Sequence, residues 1–213
     1  LVISGERFDL PWGKAGKARL ALKLGAESGS QQPRRLEAEV AADDLEIRQA
    51  GRAQHAAGKL SLRQAEELTG AANLRADVVL SQPKTPWGEA NELTWRGEVE
   101  AATNWLAVLQ RTNLPIWERL APVAVTGAVQ VVELRMTNLA VTRMEVQGGW
   151  RAPRLALKKL AVNLYGGDAE VAGWLDAVSR QVETEVRFDF DVLRLLPLLP
   201  EDVRKAAGGV SWD

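Results

Sequence analysis

The chain has 213 residues, of which 46% are hydrophobic and 26% charged, so it can bury a core and is not disordered by composition. Its formal net charge of -1, with Lys and Arg scattered along the chain, argues against a nucleic-acid binder. It contains no cysteine, which excludes disulfides and thiolate metal sites. No stretch approaches the roughly 20 apolar residues of a membrane-spanning helix.

Apolar and polar residues alternate along most of the chain, which predicts β-strands with one buried and one hydrated face. A one-sided antiparallel sheet is the expected arrangement for such strands. The apolar positions of the alternating runs are Leu36, Ala38 and Val40; Leu74, Ala76, Val78 and Leu80; Leu93, Trp95 and Val99; and Val182, Val186, Phe188, Phe190 and Val192.

Some runs change parity partway, and we expect a bulge or a short turn at each change. Leu157 and Leu160 lie on opposite parities, with the change at Lys158-Lys159. A second change lies between Val141 and Met144. Because bulges bend a sheet, these breaks predict a curved antiparallel sheet with an elongated, groove-like shape.

Three short stretches are interpreted as turns. Gly166-Gly167 fits a two-residue hairpin whose residues need positive φ. Gly148-Gly149 is expected to form another turn, and Asp43-Asp44 lies where the strand parity resets and is also interpreted as a turn. The Ser- and Gly-rich stretch 26–33 is expected to be a loop tip.

The phrase Pro-Trp-Gly occurs twice, at 11–13 and 86–88, and is interpreted as a weak repeat of about 75 residues. Tryptophan supplies most of the aromatic volume, with eight residues against one Tyr and three Phe. These indoles can pack in a core or at hairpins, or they can lie at a lipid or membrane interface. Trp174 has the opposite parity to Leu175 and is expected on the hydrated side or the groove side.

Helical signals are few, and they predict short helices near 104–120 and 191–207. Thr103-Asn104 can cap the first, and Pro200 suits the start of a helix near the C-terminus. We therefore divide the chain into a β-rich segment 1–102, a helical insertion 103–121 and a second β segment 122–213, expected to form one continuous sheet.

Catalytic and metal-binding patterns are missing from the sequence, so no catalytic residue, metal ligand or cofactor is predicted. His55 is the only histidine and is interpreted as a surface residue. Asp189 and Asp191 are interpreted as the hydrated side of a strand whose inward residues are Phe188 and Phe190, rather than as a cation site.

The stretch Leu164-Tyr165-Gly166-Gly167, followed by a strand ending at Asp176 and by the Leu-rich stretch 191–196, resembles the C-terminal region of AsmA-like envelope proteins. The resemblance covers about residues 150–200 and implies a long curved sheet whose apolar face shields phospholipid acyl chains. The groove candidates are Leu160, Val162, Leu164, Val186, Phe188 and Phe190, with Gly166 and Gly167 as structural turn residues.

The resemblance also implies a location and partners for the protein. It implies the periplasm of a Gram-negative-type bacterium, and lipid transport between the inner and outer membranes or outer-membrane biogenesis. We interpret the chain as a segment of a longer protein that is anchored to the inner membrane. The alternatives are a structural all-β surface or adhesin-type module with a closed core and, less favoured, a carbohydrate-active enzyme.

Overall fold

The computed structural model describes residues 1–10, 13–25, 35–64, 71–102, 105–136, 139–164 and 166–189. Of these residues, 77% lie in strands and 5% in helices. The elements in chain order are β1 (Val2–Leu10), β2 (Gly13–Gly25), β3 (Arg35–Ile47), β4 (Gly51–Gln64), β5 (Ala71–Ser81), β6 (Lys84–Thr85), β7 (Gly88–Glu89), β8 (Glu92–Ala102), α1 (Trp105–Leu109), α2 (Ile116–Arg119), β9 (Val123–Arg135), β10 (Ala140–Arg151), β11 (Arg154–Leu164), β12 (Gly167–Asp176) and β13 (Val182–Asp189).

All thirteen strands belong to one antiparallel sheet, which confirms the mainly β, antiparallel prediction. The long strands follow one another as neighbours in the order β1-β2-β3-β4-β5-β8-β9-β10-β11-β12-β13. Each of these long strands therefore pairs with the long strand before it. The helical connection between β8 and β9 does not interrupt the sheet, because these two strands pair directly.

The strand pairings also close a ring of six strands, β4-β5-β8-β9-β7-β6, which the sequence did not predict. The ring is closed by Arg52 opposite Lys84 and by Glu89 opposite Arg135. Backbone hydrogen bonds between Gln82 and Asn91 and between Ala90 and Pro83 link the β5–β8 hairpin to the β6–β7 hairpin. The β6–β7 hairpin therefore continues the β5–β8 hairpin beyond an irregularity at Gln82. The ring closes because β6 pairs with β4 and β7 pairs with β9.

A row of left-handed residues crosses the sheet at the level of this irregularity. Arg7, Asp44, Gln82 and Glu133 all have φ between 48° and 58°. The pairings on either side place them in one cross-strand row. Each conformation costs a non-glycine residue on the order of 1 kcal/mol and resets which face the following residues occupy. The predicted turn at Asp43-Asp44 is therefore wrong: the parity does reset there, but inside β3.

Both predicted parity breaks are confirmed as bulges. In β11, Leu157 pairs with Gly173 and Leu160 with Val171, so the stretch at Lys158 carries one extra residue. In β10 the register against β11 shifts between Val141 and Arg143.

The predicted turn at Gly148-Gly149 is wrong, because both residues lie inside β10. Glycine is needed at both positions because the backbones of the neighbouring strands approach them closely. A Cβ on Gly148 would lie 2.6 Å from the Ala156 carbonyl oxygen, and one on Gly149 would lie 2.5 Å from that of Val125.

The hairpin between β11 and β12 lies one residue earlier than the sequence suggests. Leu164 pairs with Gly167, so Gly167 is the first strand residue rather than a turn residue. Gly166 precedes it with φ of 81°, a conformation that favours glycine. Tyr165 lies outside the described residues.

The predicted helical insertion contains two short helices, α1 and α2, within 105–119. Pro115 precedes α2, and the Arg119 Nε donates to the Leu109 carbonyl oxygen at 2.9 Å, which ties the two helices together. The predicted loop 26–33, the cap at Thr103-Asn104 and the predicted helix 191–207 lie outside the described residues, as does Phe190. No helix in the described part of the chain is long and apolar enough to cross a membrane.

We expect Gly166→Ala to destabilise the protein by about 1 kcal/mol, because the left-handed conformation is costly for a residue with a Cβ. The cost is purely conformational, since a Cβ at this position has no heavy atom within 4 Å. Urea unfolding followed by circular dichroism measures the change.

Gly25→Ala is the matched control, because its added Cβ has its nearest neighbour at an ordinary 3.9 Å and its φ is not left-handed. Equal unfolding midpoints for the two variants would show that the hairpin does not turn at Gly166.

Candidate functional site

Directly paired residues of an antiparallel sheet project from the same face, so the register assigns every strand residue to one of two faces. One cross-strand row contains one residue from each of the eleven long strands, and every member is apolar or glycine. The row is Ile3, Leu20, Val40, Gly58, Val78, Trp95, Val129, Val146, Leu160, Val171 and Val186.

The neighbouring rows on this face have the same character, and we call the whole surface the apolar face. Toward the left-handed row lie Gly5, Ala18, Ala42, Ala56, Leu80, Leu93, Val131, Met144, Val162, Ala169 and Phe188. On the other side lie Leu22, Ala38, Leu60, Ala76, Gly97, Gly127, Gly148, Leu157, Gly173 and Thr184, and then Leu24, Leu36, Leu62, Leu74, Val99, Val125, Trp150, Leu155, Leu175 and Val182. Thr184 is the one polar residue in these four rows.

The bulges keep this face apolar. Simple alternation would place Leu157 and Leu160 on opposite faces, but the extra residue at Lys158 returns both to the apolar face. Beyond the left-handed row, the change of parity at Arg7 places Phe8 on the apolar face as well. Gly5 belongs to this face, and a Cβ added to it would lie 2.8 Å from the Phe8 ring. Val141 and Leu164, paired with each other, are also buried beyond that row.

The structure brings five of the six predicted groove residues together on the apolar face. Leu160, Val162 and Leu164 lie on β11, and Val186 and Phe188 lie on β13. The two strands flank β12, so Leu160 and Val186 lie in one row through Val171. Burial differs along the face: Leu164 is buried, whereas Val186 and Phe188 are 57% and 58% exposed. The sixth residue, Phe190, is outside the described residues.

Among the described residues, much of the apolar face remains exposed. Between 37% and 65% of the surface stays exposed on Ile3, Val40, Leu60, Leu155, Val182 and Val186. No described large side chain is completely buried, and the least exposed apolar residues, Val131 and Val141, retain 4% of their surface. Large parts of the face are therefore open to a ligand or partner.

The helical connection contacts the apolar face at one end. The Trp150 Nε1 donates to the Leu120 carbonyl oxygen at 3.2 Å, just after α2. Ala101 and Val123, which pair across β8 and β9 beside this connection, are buried. Ile116 in α2 remains 55% exposed, so the connection leaves part of its own apolar surface uncovered.

The opposite face carries ion pairs between neighbouring strands. Examples are Lys59 with Glu39 at 3.5 Å and Arg96 with Asp77 at 3.4 Å. A hydrogen bond from Asn73, followed by one from Arg75, lowers the pKa of Glu98 below its ordinary value. Exposed pairs of this kind contribute at most about 1 kcal/mol each. Their main consequence is that this face is hydrated and charged.

Trp174 lies on the polar face, on the parity that the sequence indicated. Its Nε1 donates to the Glu183 Oε2 at 3.0 Å, and the Arg154 guanidinium lies 4.9 Å from its ring centroid. Arg154 also pairs with Asp176, whose Oδ1 accepts the backbone N–H groups of Val178 and Ser179. The hydrogen bond from the Ser179 backbone N–H, with a smaller effect of the one from Val178, lowers the pKa of Asp176. The carboxylate that holds this turn therefore stays ionised.

The side chains with catalytic potential stand apart from the apolar face. The His55 Nδ1 lies 2.7 Å from the Asp43 Oδ1, and both side chains are about half exposed. Asp189 pairs with Asp168 on the polar side of β13. Among the described residues, no group of three or more His, Cys, Asp or Glu could hold a metal ion.

Sequence reasoning located the C-terminal part of the apolar face but missed most of its area. Trp95, Val129 and Trp150 belong to the face as fully as the predicted residues do. Their alternation was visible in the sequence, yet only the register shows that their strands lie side by side with those near the C-terminus.

Deleting Lys158 is expected to lower the free energy of unfolding by about 2 kcal/mol, because Leu155 and Leu157 would move to the hydrated face or lose their pairing. Lys158→Ala keeps the extra residue and should change stability by no more than about 0.5 kcal/mol. Urea unfolding gives the midpoint of each variant, and equal midpoints for the two variants would contradict the assignment of the bulge.

Comparisons with known proteins give no relative for this fold or face. No family model matches the chain, and no curated protein or solved structure shows significant similarity to it.

Proposed function

We propose that this chain is a non-enzymatic segment of an AsmA-like envelope protein whose apolar face shields phospholipid acyl chains. The observation that carries the proposal is the apolar face itself, which extends over eleven strands and leaves large apolar side chains exposed, among them Ile3, Leu60 and Val186. Lipid can cover such a surface, so the protein needs no second sheet.

The dimensions of the face suit acyl chains. Eleven strands about 4.8 Å apart span roughly 48 Å, and ten residues along a strand span roughly 33 Å. Laid flat, such a sheet has a footprint of roughly 1,600 Å². An acyl chain reaches half of a hydrocarbon core about 30 Å thick, so several could lie on this face.

The distribution of exposure favours entry at the edges of the sheet. Residues in the middle of the sheet, such as Val131, are almost completely shielded by their neighbours. Ile3 and Leu24 on the β1–β2 side and Val182 and Val186 on β13 remain well exposed. An acyl chain that packs along these residues removes their apolar surface from water, at about 25 cal/mol per Å².

We further propose that the sheet forms an elongated groove in the periplasm of a Gram-negative-type bacterium. In the full-length protein, other parts would anchor it to the inner membrane and reach the outer membrane. Phospholipids would move between the two membranes, or serve outer-membrane biogenesis. The support is the resemblance around residues 164–176, where the hairpin from β11 to β12 and the strand ending at Asp176 lie.

One observation favours the alternative of a structural all-β module. The closed ring of six strands gives the sheet a locally closed arrangement, which a module with its own core would also have. The two functions differ in whether lipid occupies the apolar face.

Val186→Glu is expected to abolish phospholipid co-purification with the chain while leaving the melting temperature nearly unchanged. The side chain is 57% exposed, so the fold tolerates a carboxylate, but bound lipid would strip that carboxylate of water at a cost of several kcal/mol. Native mass spectrometry of the purified chain measures the bound lipid.

Val178→Glu is the matched control, because it makes the same substitution at a 66% exposed residue in the turn between β12 and β13. Asp189→Lys on the polar face is a second control. Loss of lipid in all three variants, or a wild-type chain without lipid, would favour the structural module.

A further inference from the structure

The last long strand of the sheet, β13, presents a regular edge. In the described part of the chain it pairs only with β12. Its residues, Val182–Asp189, include no proline, glycine or left-handed residue, whereas β1 at the opposite edge is interrupted by the left-handed Arg7. Natural proteins block such edges with proline, with bulges or with charges that point inward. The charges of β13 all lie on the polar face, so none of them points inward.

The pairing with β12 shows which backbone groups of β13 point outward. The Asp176 N–H donates to the Gln181 carbonyl oxygen at 2.9 Å, which makes these two residues a hydrogen-bonded pair. Such pairs recur at every second residue of an antiparallel ladder, so the odd-numbered residues of β13 direct their N–H and C=O groups to β12. The even-numbered residues Val182, Thr184 and Val186 direct theirs away from the sheet, where another strand can bind them.

Carboxylates dominate the polar face beside this edge. The two outermost strands carry six of them, namely Asp168, Glu170, Asp176, Glu183, Glu185 and Asp189. The cations of β13, of the turn before it and of β11 that offset them are four, namely Arg154, Lys158, Arg180 and Arg187. Lys159 on β11 is already paired with Glu145. Negative charge therefore remains in excess when all of these groups are counted.

The excess is larger where an added strand would lie. Such a strand would be about 5 Å from β13 but about 14 Å from β11, beyond the screening length of about 8 Å in physiological salt. Arg154 on β11 also pairs with Asp176 at 3.4 Å. On β13 itself three carboxylates stand against Arg187, whose Nε donates to the Glu185 Oε1 at 2.9 Å.

We propose that the edge of β13 binds an extended segment of another protein by strand addition, and that this segment alternates Lys or Arg with apolar residues. The outward backbone groups of Val182, Thr184 and Val186 bind its backbone, and Glu183 and Glu185 pair with its cations. Its apolar residues prolong the apolar face by one strand. The site goes beyond the proposed function and does not depend on whether the apolar face binds lipid.

The strand β2 has the composition that such a segment needs. Its cations alternate with small or apolar residues, and three of them lie opposite carboxylates of β3: Lys14 opposite Glu46, Lys17 opposite Asp43 and Lys23 opposite Glu37. A synthetic peptide with the sequence of residues 17–24, KARLALKL, is therefore a suitable probe. An antiparallel register that places its first lysine opposite Glu185 also places its arginine opposite Glu183.

The test is fluorescence anisotropy of the labelled peptide, titrated with the chain at low salt. We expect saturable binding, and about fivefold weaker binding when Glu183→Gln and Glu185→Gln are combined. Thr184→Pro removes an outward N–H group and no bond to β12, which an edge strand tolerates, and it should weaken binding at least about tenfold.

Ser4→Pro is the matched control at the opposite edge and should bind the peptide like the wild type. Leu1 and Leu22 form a hydrogen-bonded pair, so the N–H group of Ser4 also points away from the sheet. A peptide with glutamate in place of its three cations should not bind. Melting curves establish that each variant is folded.

A wild-type chain that binds no peptide, binding that survives Thr184→Pro, or equal losses for Thr184→Pro and Ser4→Pro would overturn the proposal. A wild-type dimer that Thr184→Pro converts to a monomer would also overturn it, because a second copy would then occupy the edge. Failure of lipid co-purification alone would overturn the proposed function and leave the strand-addition site standing.

Discussion

The constraint on which the structure depends is that directly paired residues of an antiparallel sheet share a face. Because eleven long strands pair in sequence order, one shift in register would mix apolar and charged residues over the rest of the sheet. The chain avoids this by placing its irregularities where they correct the alternation. The row through Asp44 and Glu133 and the bulge at Lys158 both return apolar residues to the same face.

The energetics follow from this arrangement. A sheet with one apolar face gains little from exposed ion pairs, such as Lys59 with Glu39, which contribute at most about 1 kcal/mol each. Stability comes mainly from the backbone ladder and from apolar side chains that shield one another, most completely at Val131 and Val141. The face that stabilises the fold is thus the same face that we propose for lipid, so occupancy and stability are linked.

The sequence predicted the strands well because alternation is a local property. It predicted the bulges at Lys158 and after Val141 for the same reason. It did not predict the six-strand ring or the row through Asp44, because both depend on which strands lie side by side. Gly148-Gly149 was mistaken for a turn because glycine occurs both in turns and where a neighbouring backbone approaches closely. The second use leaves no signal in the local sequence. The edge position of β13 was not predicted either, since only the strand order shows that it is the last long strand.

The central claim is that acyl chains contact the apolar face and avoid the polar one. Site-specific incorporation of a photo-crosslinking amino acid at Leu160 and, separately, at the adjacent Lys159 tests it directly. The two residues project from opposite faces of β11, because Lys159 pairs with Glu145 at 3.3 Å on the charged face. After irradiation of cells that produce the chain, we expect phospholipid adducts by mass spectrometry at Leu160 and none at Lys159. Adducts at neither position, or equally at both, would contradict it.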